Sequence, residues 1–286
     1  MKLKDKITYQ LLNIISRRIR RLPNVTKTRL SNKLGAFAYN KISARKNEAF
    51  ENIKKAFPEK SNKWIKGVLK GTYRLVASNF IEFLALPKSA ESINFRIENK
   101  RILDEAQAKG KGTILITAHF GLWEQWGAWF GQQSYPVWGI IQRQGNAGAD
   151  LFFKELRESY GMKHIYRKSS MEHMYQILNE NKILIIASDQ DAKKKGVFVE
   201  FFGHSTSTPK GSAIFHLKTG CSLIFSVAHK DNDGTIVISF SKIEPKGDSN
   251  IKSITQEYTS MLEKKVREHP DHYFWFHRKW KTSQNI

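Results

Sequence analysis

The sequence predicts an α/β protein: a single mixed sheet with helices on both faces, preceded by an N-terminal helical extension. Three observations predict it. From about residue 112 onward, short apolar runs suited to buried strands alternate with segments of helical periodicity. Before about residue 86 the periodicity is helical throughout, broken at Pro23, Phe57-Pro58 and Leu86-Pro87. The 286 residues, 40% apolar and 12% aromatic, are ample for a sizeable core and exclude a disordered chain. The expected boundary separates an extension over 1–44 from a domain over 45–286.

The first helix places Leu3, Ile7, Leu11, Ile14, Ile15 and Leu22 on one face. Lys2, Lys6, Arg17 and Arg20 lie on the other side, while Lys4 and Arg18 intrude on the stripe with side chains long enough to bend towards water. This pattern suits a helix lying in a lipid headgroup layer, and equally a helix packed on its own domain with a solvated basic face. No apolar run approaches the roughly 18–20 residues needed to cross a bilayer. Leu11–Ile15, broken by Asn13 and followed by arginines, lacks the form of a secretory signal. A location in the cytosol or on the cytosolic face of a membrane is expected.

Further along, Gly112–Thr117 reads as a buried strand and Leu122–Phe130 as a helix. Val137–Ile141 is a second strand, followed by helix near 149–160. Lys163–Tyr166 is a short strand, 170–180 a helix and Ile183–Ser188 another buried strand. Gly211–Thr219 is helical. Leu223–His229 and Thr235–Phe240 form an antiparallel pair joined at Asp231–Gly234, and a helix near 251–268 precedes an aromatic-rich tail.

Charge narrows the partners. Forty-eight basic residues against 26 acidic leave +22, and thirteen of the basic residues fall within 1–47 beside a single acid, Asp5. Such a field favours nucleic acid, an anionic membrane surface or an acidic protein, without choosing among them. One cysteine excludes an internal disulfide and a cysteine zinc cluster; Cys221, in an apolar strand approach, is expected in the core.

Reactive groups in open α/β sheets collect at the carboxyl ends of strands. Two polar clusters occupy such positions: Thr117 through His119 to Glu124, and Ser188-Asp189-Gln190-Asp191. A carboxylate at Glu124, one turn into a helix, can reach His119, fix its tautomer and leave the other nitrogen to take a proton from a hydroxyl. A capping histidine beside an exposed glutamate fits the same spacing. Asp189 and Asp191 fit a divalent-cation pair of the kind seen in glycosyltransferases, or a carboxylate that fixes a turn, and the turn is favoured. Lys193-Lys194-Lys195 suits a phosphate or a solvated face. His269 and His272 are expected at the surface. No dinucleotide loop, Gly-x-Ser-x-Gly elbow or His-Glu-x-x-His helix is present.

Taken in order, these segments resemble a known family. His119-Phe120-Gly121-Leu122-Trp123-Glu124 is similar to the His-x4-Asp/Glu motif of the lysophospholipid acyltransferase superfamily. Arg45 through Asn52 to Ala56-Phe57-Pro58-Glu59, Arg143 with Asn146, Asp189-Gln190-Asp191, Gly196–Val199, Phe201–Gly203, Ser207–Gly211 and the tail Glu268–Lys281 resemble its late lipid A acyltransferase branch. The likeness covers about 45–281, so 45–286 is expected to be the acyltransferase domain. It implies an O-acyltransferase moving a fatty acyl chain from an acyl thioester, typically on acyl carrier protein, to a hydroxyl of a lipid A precursor. The implied place is the cytoplasmic face of a Gram-negative inner membrane.

On that resemblance His119 is the general base and Glu124 its orienting carboxylate, with helix-start amides after His119 facing the oxyanion. Arg143, Asn146, Asp189, Asp191, Lys210 and Arg278 are candidate substrate-binding residues. No cofactor, metal or nucleic-acid partner is expected. Family members commonly begin with a membrane-spanning helix; here that region is short and basic, which favours interfacial attachment to an anionic membrane. Another lipid or glycolipid acceptor, such as a mannoside, an ornithine lipid or an aryl polyene, keeps the same roles. A manganese-dependent glycosyltransferase and a non-enzymatic polyanion-binding protein are the distant alternatives.

Overall fold

The structure, a computed structural model, describes residues 1–87, 93–244 and 247–282. Its first third is helical: α1 (Leu3–Arg20), α2 (Asn24–Lys41), α3 (Lys46–Ala56) and α4 (Asn62–Ala85). Strand and helix then alternate through β1 (Phe95–Glu98), α5 (Lys100–Ala108), β2 (Thr113–Thr117), α6 (Trp123–Gln132), β3 (Val137–Ile141) and α7 (Ala147–Glu158). The alternation continues with β4 (Lys163–Tyr166), α8 (Met171–Asn179) and β5 (Ile183–Ala187). A hairpin of β6 (Val197–Phe201) and β7 (His204–Thr208) precedes α9 (Gly211–Thr219), β8 (Ser222–Lys230), β9 (Ile236–Lys242) and α10 (Ile251–Glu268).

Seven strands form one sheet in the order β1-β9-β8-β2-β5-β3-β4, with β8 and β9 antiparallel and every other neighbouring pair parallel. Alternate side chains of β2 point to opposite faces, so Ile114 and Ile116 join one core and Leu115 the other. This is the predicted α/β class. Apart from α5, the helices stand where periodicity placed them, as do the four strands β2–β5 and the β8–β9 pair. Sequence reasoning missed β1, α5 and the β6–β7 hairpin. β1 is four residues long, and the hairpin's second strand, His204–Thr208, is polar and carries no hydrophobic alternation.

α1 is turned against the usual rule. Asp5, Ser16 and Ile19 are buried, with Tyr9 and Leu12 packed on the same side. Ser16 Oγ donates to the Leu84 carbonyl at 2.7 Å and Tyr9 Oη to Glu155 at 2.6 Å. The apolar stripe, Leu3, Ile7, Leu11, Ile14 and Ile15, faces outward, with Leu3 74% exposed. The alternative of a helix packing that stripe on its own domain is not what the structure shows. Against α7 the backbone approach is close enough that a Cβ on Gly148 would stand 1.8 Å from the Asp5 carbonyl oxygen. α2 likewise turns Lys27, Ser31 and Gly35 inward and leaves Val25, Leu30, Leu34 and Phe37 exposed; Lys27 pairs with Glu82 at 2.9 Å. Among the described residues no helix is long and apolar enough to cross a membrane.

Candidate active site

The two polar clusters meet because β2 and β5 are parallel neighbours. Their register runs from Thr113 opposite Ile183 to Thr117 opposite Ala187, and the Ser188 N–H donates to the Thr117 carbonyl at 3.0 Å. Two residues past each strand, the same register sets His119 opposite Asp189. The His119 backbone N–H donates to Asp189 Oδ2 at 3.1 Å, and Nδ1 donates to Oδ1 at 2.9 Å. Asp189 is 1% exposed, whereas the His119 side chain is 29% exposed.

The tail closes the site from the other side. Phe274 N–H donates to the His119 carbonyl at 3.0 Å, and Gly121 N–H to the His272 carbonyl at 2.8 Å. Gly121 has φ +59°, and a Cβ there would lie 1.7 Å from the Ala228 carbonyl oxygen, so only glycine fits this loop. Asn52, buried on α3, donates to the carbonyls of Trp275 at 2.8 Å and His277 at 2.7 Å, which anchors the tail. Gln190 donates to His277 Nε2 at 3.0 Å, and the rings of His119 and His277 are 5.0 Å apart.

Burial alone would lower the basicity of His119; the Asp189 carboxylate more than reverses this and holds the imidazole above its ordinary pKa. For Asp189, burial acts upward, but the charge and hydrogen bond of His119 hold the carboxyl well below the usual range. His277 is pushed down to about 4 by burial, so it stands neutral and accepts from Gln190. One ligand atom from each of His119, Asp189 and His277 falls within 4.8 Å of the others, as a divalent-cation set requires. Two hydrogen-bonded pairs, His119–Asp189 and Gln190–His277, stand side by side there, with the two imidazole rings in edge contact.

The orienting place expected for Glu124 belongs to Asp189. Both Glu124 oxygens accept from Arg157 on α7, at 2.5 and 3.2 Å, in a largely buried ion pair. Glu124 still acts on His119 through its charge. Sequence spacing sees residues within one helical turn, whereas the 119–189 contact is written in strand adjacency. Its only trace in the sequence is that both clusters end strands.

The other expected site residues have partners of their own. Asn146 caps α7, accepting from Gly148 and Ala149 at 2.9 Å, and donates to Thr8 on α1 at 3.2 Å. Asp191 accepts from the Lys193 N–H at 3.1 Å and from Thr282 at 2.8 Å, so it fixes a turn. Arg143 lies 4.5 Å over the Tyr166 ring, and Arg278 donates to Glu48 at 3.1 Å. Lys210 precedes α9 beside a shallow cavity bordered by Ser249 and Asn250. Among the described residues none of these contacts His119. At the start of α6, where oxyanion donors were expected, the Glu124 N–H donates to Asn79 Oδ1 at 3.5 Å. Cys221 is buried as expected. His269 and His272 are half-buried, His269 stacking on His229 with centroids 4.2 Å apart.

The sequence profile of bacterial lipid A biosynthesis acyltransferases matches residues 2–282. The chain belongs to that family. It is 23% identical to the lipid A biosynthesis lauroyltransferase of Escherichia coli K12 over 91% of this chain and 87% of that one. It is 21% identical to the palmitoleoyltransferase of the same organism over 88% and 84%. It is also 25% identical to the phosphatidylinositol mannoside acyltransferase of Mycobacterium tuberculosis H37Rv, over 62% of this chain and 57% of that one. The chain thus spans little more than half the length of the mannoside acyltransferases it matches.

Proposed function

We propose that this member of the lipid A acyltransferase family transfers a fatty acyl group from an acyl thioester, carried on acyl carrier protein, to a hydroxyl of a lipid A precursor. The observation that carries the reading is the His119–Asp189 contact. With Nδ1 held by a buried carboxylate, the tautomer is set, Nε2 is the basic atom, and the half-buried ring keeps an exposed edge. Nε2 takes the proton of the acceptor hydroxyl as its oxygen attacks the thioester carbonyl carbon. The C–S bond then breaks, and the departing sulfur takes that proton back from the imidazolium. Proton transfer of this kind contributes about 10²–10⁴-fold. Asp189 orients His119; Glu124, tied to Arg157, holds α6 to α7 and adds negative charge beside the ring. Arg143, Lys210 and Arg278 supply cations for acceptor phosphates and acidic sugars. Asp191 and Asn146 position the surrounding loops.

The outward stripe of α1 supports work at a membrane surface. Five exposed apolar side chains edged by lysine and arginine suit the headgroup layer of an anionic leaflet, and the net charge of +22 suits both that leaflet and an acidic donor protein. The cytoplasmic face of an inner membrane is the corresponding place. Likeness to the mannoside acyltransferases supports a second acceptor, a mannosylated phospholipid, with the same roles for His119 and Asp189. Mass spectrometry separates the two. Purified protein is given acyl carrier protein thioesters of several lengths with a tetra-acylated lipid A precursor, and separately with a phosphatidylinositol mannoside. A gain of one acyl group on the lipid A precursor, absent in His119→Ala, is expected; gain on the mannoside alone favours the second acceptor, and gain on neither contradicts both.

A further inference from the structure

Attack on a thioester moves the carbonyl π electrons onto oxygen, and that oxyanion needs a hydrogen-bond donor already in place. The first amides after His119 serve the fold: Phe120 N–H donates to the Ala118 carbonyl and Gly121 N–H to the His272 carbonyl, both at 2.8 Å. A side-chain donor stands beside His119 in the tail. The His277 ring meets the His119 ring edge-on, with centroids 5.0 Å apart and planes at 73°. Gln190, next to Asp189 in the same loop, donates its amide N–H to His277 Nε2 at 3.0 Å. A neutral imidazole that accepts at one nitrogen carries its proton on the other, so His277 holds an N–H at Nδ1. Among the described residues nothing accepts from Nδ1, and the half-buried ring does not seal that atom from solvent. The residue is held in place from three sides. Asn52 donates to its carbonyl at 2.7 Å, the Phe274 ring packs on it with centroids 4.7 Å apart, and Gln190 fixes the ring's rotation.

We propose that His277 is the oxyanion donor of the transfer: as the acceptor oxygen bonds to the thioester carbon, the Nδ1–H of His277 hydrogen-bonds the carbonyl oxygen while His119 takes the hydroxyl proton. The inference rests on the role given to His119 above. No proton leaves His277. Negative charge forms on the carbonyl oxygen, the C=O bond re-forms, and the electron pair of the C–S bond departs on sulfur. In such a site the base and donor nitrogens stand about 5–7 Å apart, each about 3 Å from its own oxygen with one carbon between the oxygens. Two imidazoles in edge contact provide that span. Burial pushes His277 down to about 4, with Asp189 opposing it and His119, Arg45 and Lys279 adding to it, so the ring is neutral at pH 7. A neutral imidazole suits the task, because it donates one hydrogen bond without presenting a second charge. Its other nitrogen is taken by Gln190 and does not compete with His119 for the hydroxyl proton.

The test pairs kinetics with the tautomer. The amide nitrogen of an Asn side chain falls where histidine carries Nδ1, and that of Gln where it carries Nε2, so the two substitutions separate the two nitrogens. With carrier-protein thioester and the tetra-acylated lipid A precursor, His277→Leu is expected to lower kcat about 10²–10³-fold with KM unchanged, the loss typical of one oxyanion donor. His277→Asn should recover to within about tenfold of wild type, and His277→Gln should not. NMR of nitrogen-labelled histidine, which needs no substrate, should show wild-type His277 as the Nδ1–H tautomer at neutral pH. An Nε2–H tautomer overturns the proposal, as does a folded His277→Leu with kcat within about tenfold of wild type. Should the His277 variants fail to fold, Gln190→Glu decides. A carboxylate in place of the amide draws the proton to Nε2, and a fall in kcat with that shift supports the proposal, while a shifted tautomer with unchanged kcat overturns it. If His119→Ala retains activity and His277→Leu loses it, the donor stands and the assignment of the base falls. Loss in His119→Ala alone overturns the donor and leaves the base.

Discussion

His119 Nδ1 lies 2.9 Å from Asp189 Oδ1, across seventy residues of chain that the parallel register of two central strands brings together. The contact leaves Nε2 as the second imidazole nitrogen and holds the ring above its ordinary pKa. Asp189→Asn removes the carboxylate and leaves burial to dominate, so the imidazole falls below its ordinary value. The wild-type acid limb of kcat/KM is expected above the ordinary histidine value of about 6.5, and the Asn variant below it with kcat reduced about 10²–10⁴-fold. A limb that does not move contradicts the assignment.

Glu124 and Arg157 form the other charged contact near the site. Glu124→Gln leaves Arg157 without its carboxylate in a nearly buried position and is expected to cost about 3 kcal/mol of stability, read by denaturant unfolding. The double variant Glu124→Gln/Arg157→Met should recover most of it. Recovery of stability without activity assigns Glu124 a part in the chemistry; recovery of both makes the pair structural.

The tail hangs on Asn52. Asn52→Ala strands the carbonyls of Trp275 and His277 and should destabilise the protein by about 2–4 kcal/mol, with faster proteolysis after residue 270 as the visible result.

For the membrane contact, Leu11→Glu or Ile14→Glu should leave the thermal midpoint unchanged, since both side chains already face water, and should sharply weaken sedimentation with anionic vesicles. An unchanged vesicle-bound fraction contradicts an interfacial role for α1.

Stability also responds to pH through His229, which burial, with the charges of His269 and Lys265, pushes down to about 4. His272 acts in the same direction and Asp231 opposes them. Because the folded value lies below the unfolded one, this contribution is complete above the ordinary histidine value and is lost as pH falls through the window between them. His277 behaves alike, and His119, raised by Asp189, opposes both. Replacing His229 with Gln should flatten the fall in thermal midpoint between neutral pH and about pH 5, where the wild-type loss from this residue reaches up to about 2 kcal/mol.

Much of the fold was legible because its central strands, such as Ile183–Ala187, are continuous apolar runs that only a doubly covered sheet accommodates. His119, Glu124 and Asp189 were legible as polar residues just past such strands. Their pairing was not. A local pattern favours the carboxylate five residues away, whereas strand order gives His119 the one seventy residues away and gives Glu124 to Arg157. The orientation of α1 was equally hidden: periodicity finds an apolar face but cannot say which face the domain takes, and here Asp5, Tyr9 and Ser16 take it through hydrogen bonds and a close approach at Gly148.

The most direct test of the central claim is the initial rate of acyl transfer by His119→Ala, with folding checked by circular dichroism and the thermal midpoint. A folded variant slower than wild type by at least about 10²-fold is the predicted result. A folded variant within about tenfold of wild type would contradict the assignment of His119 as the base.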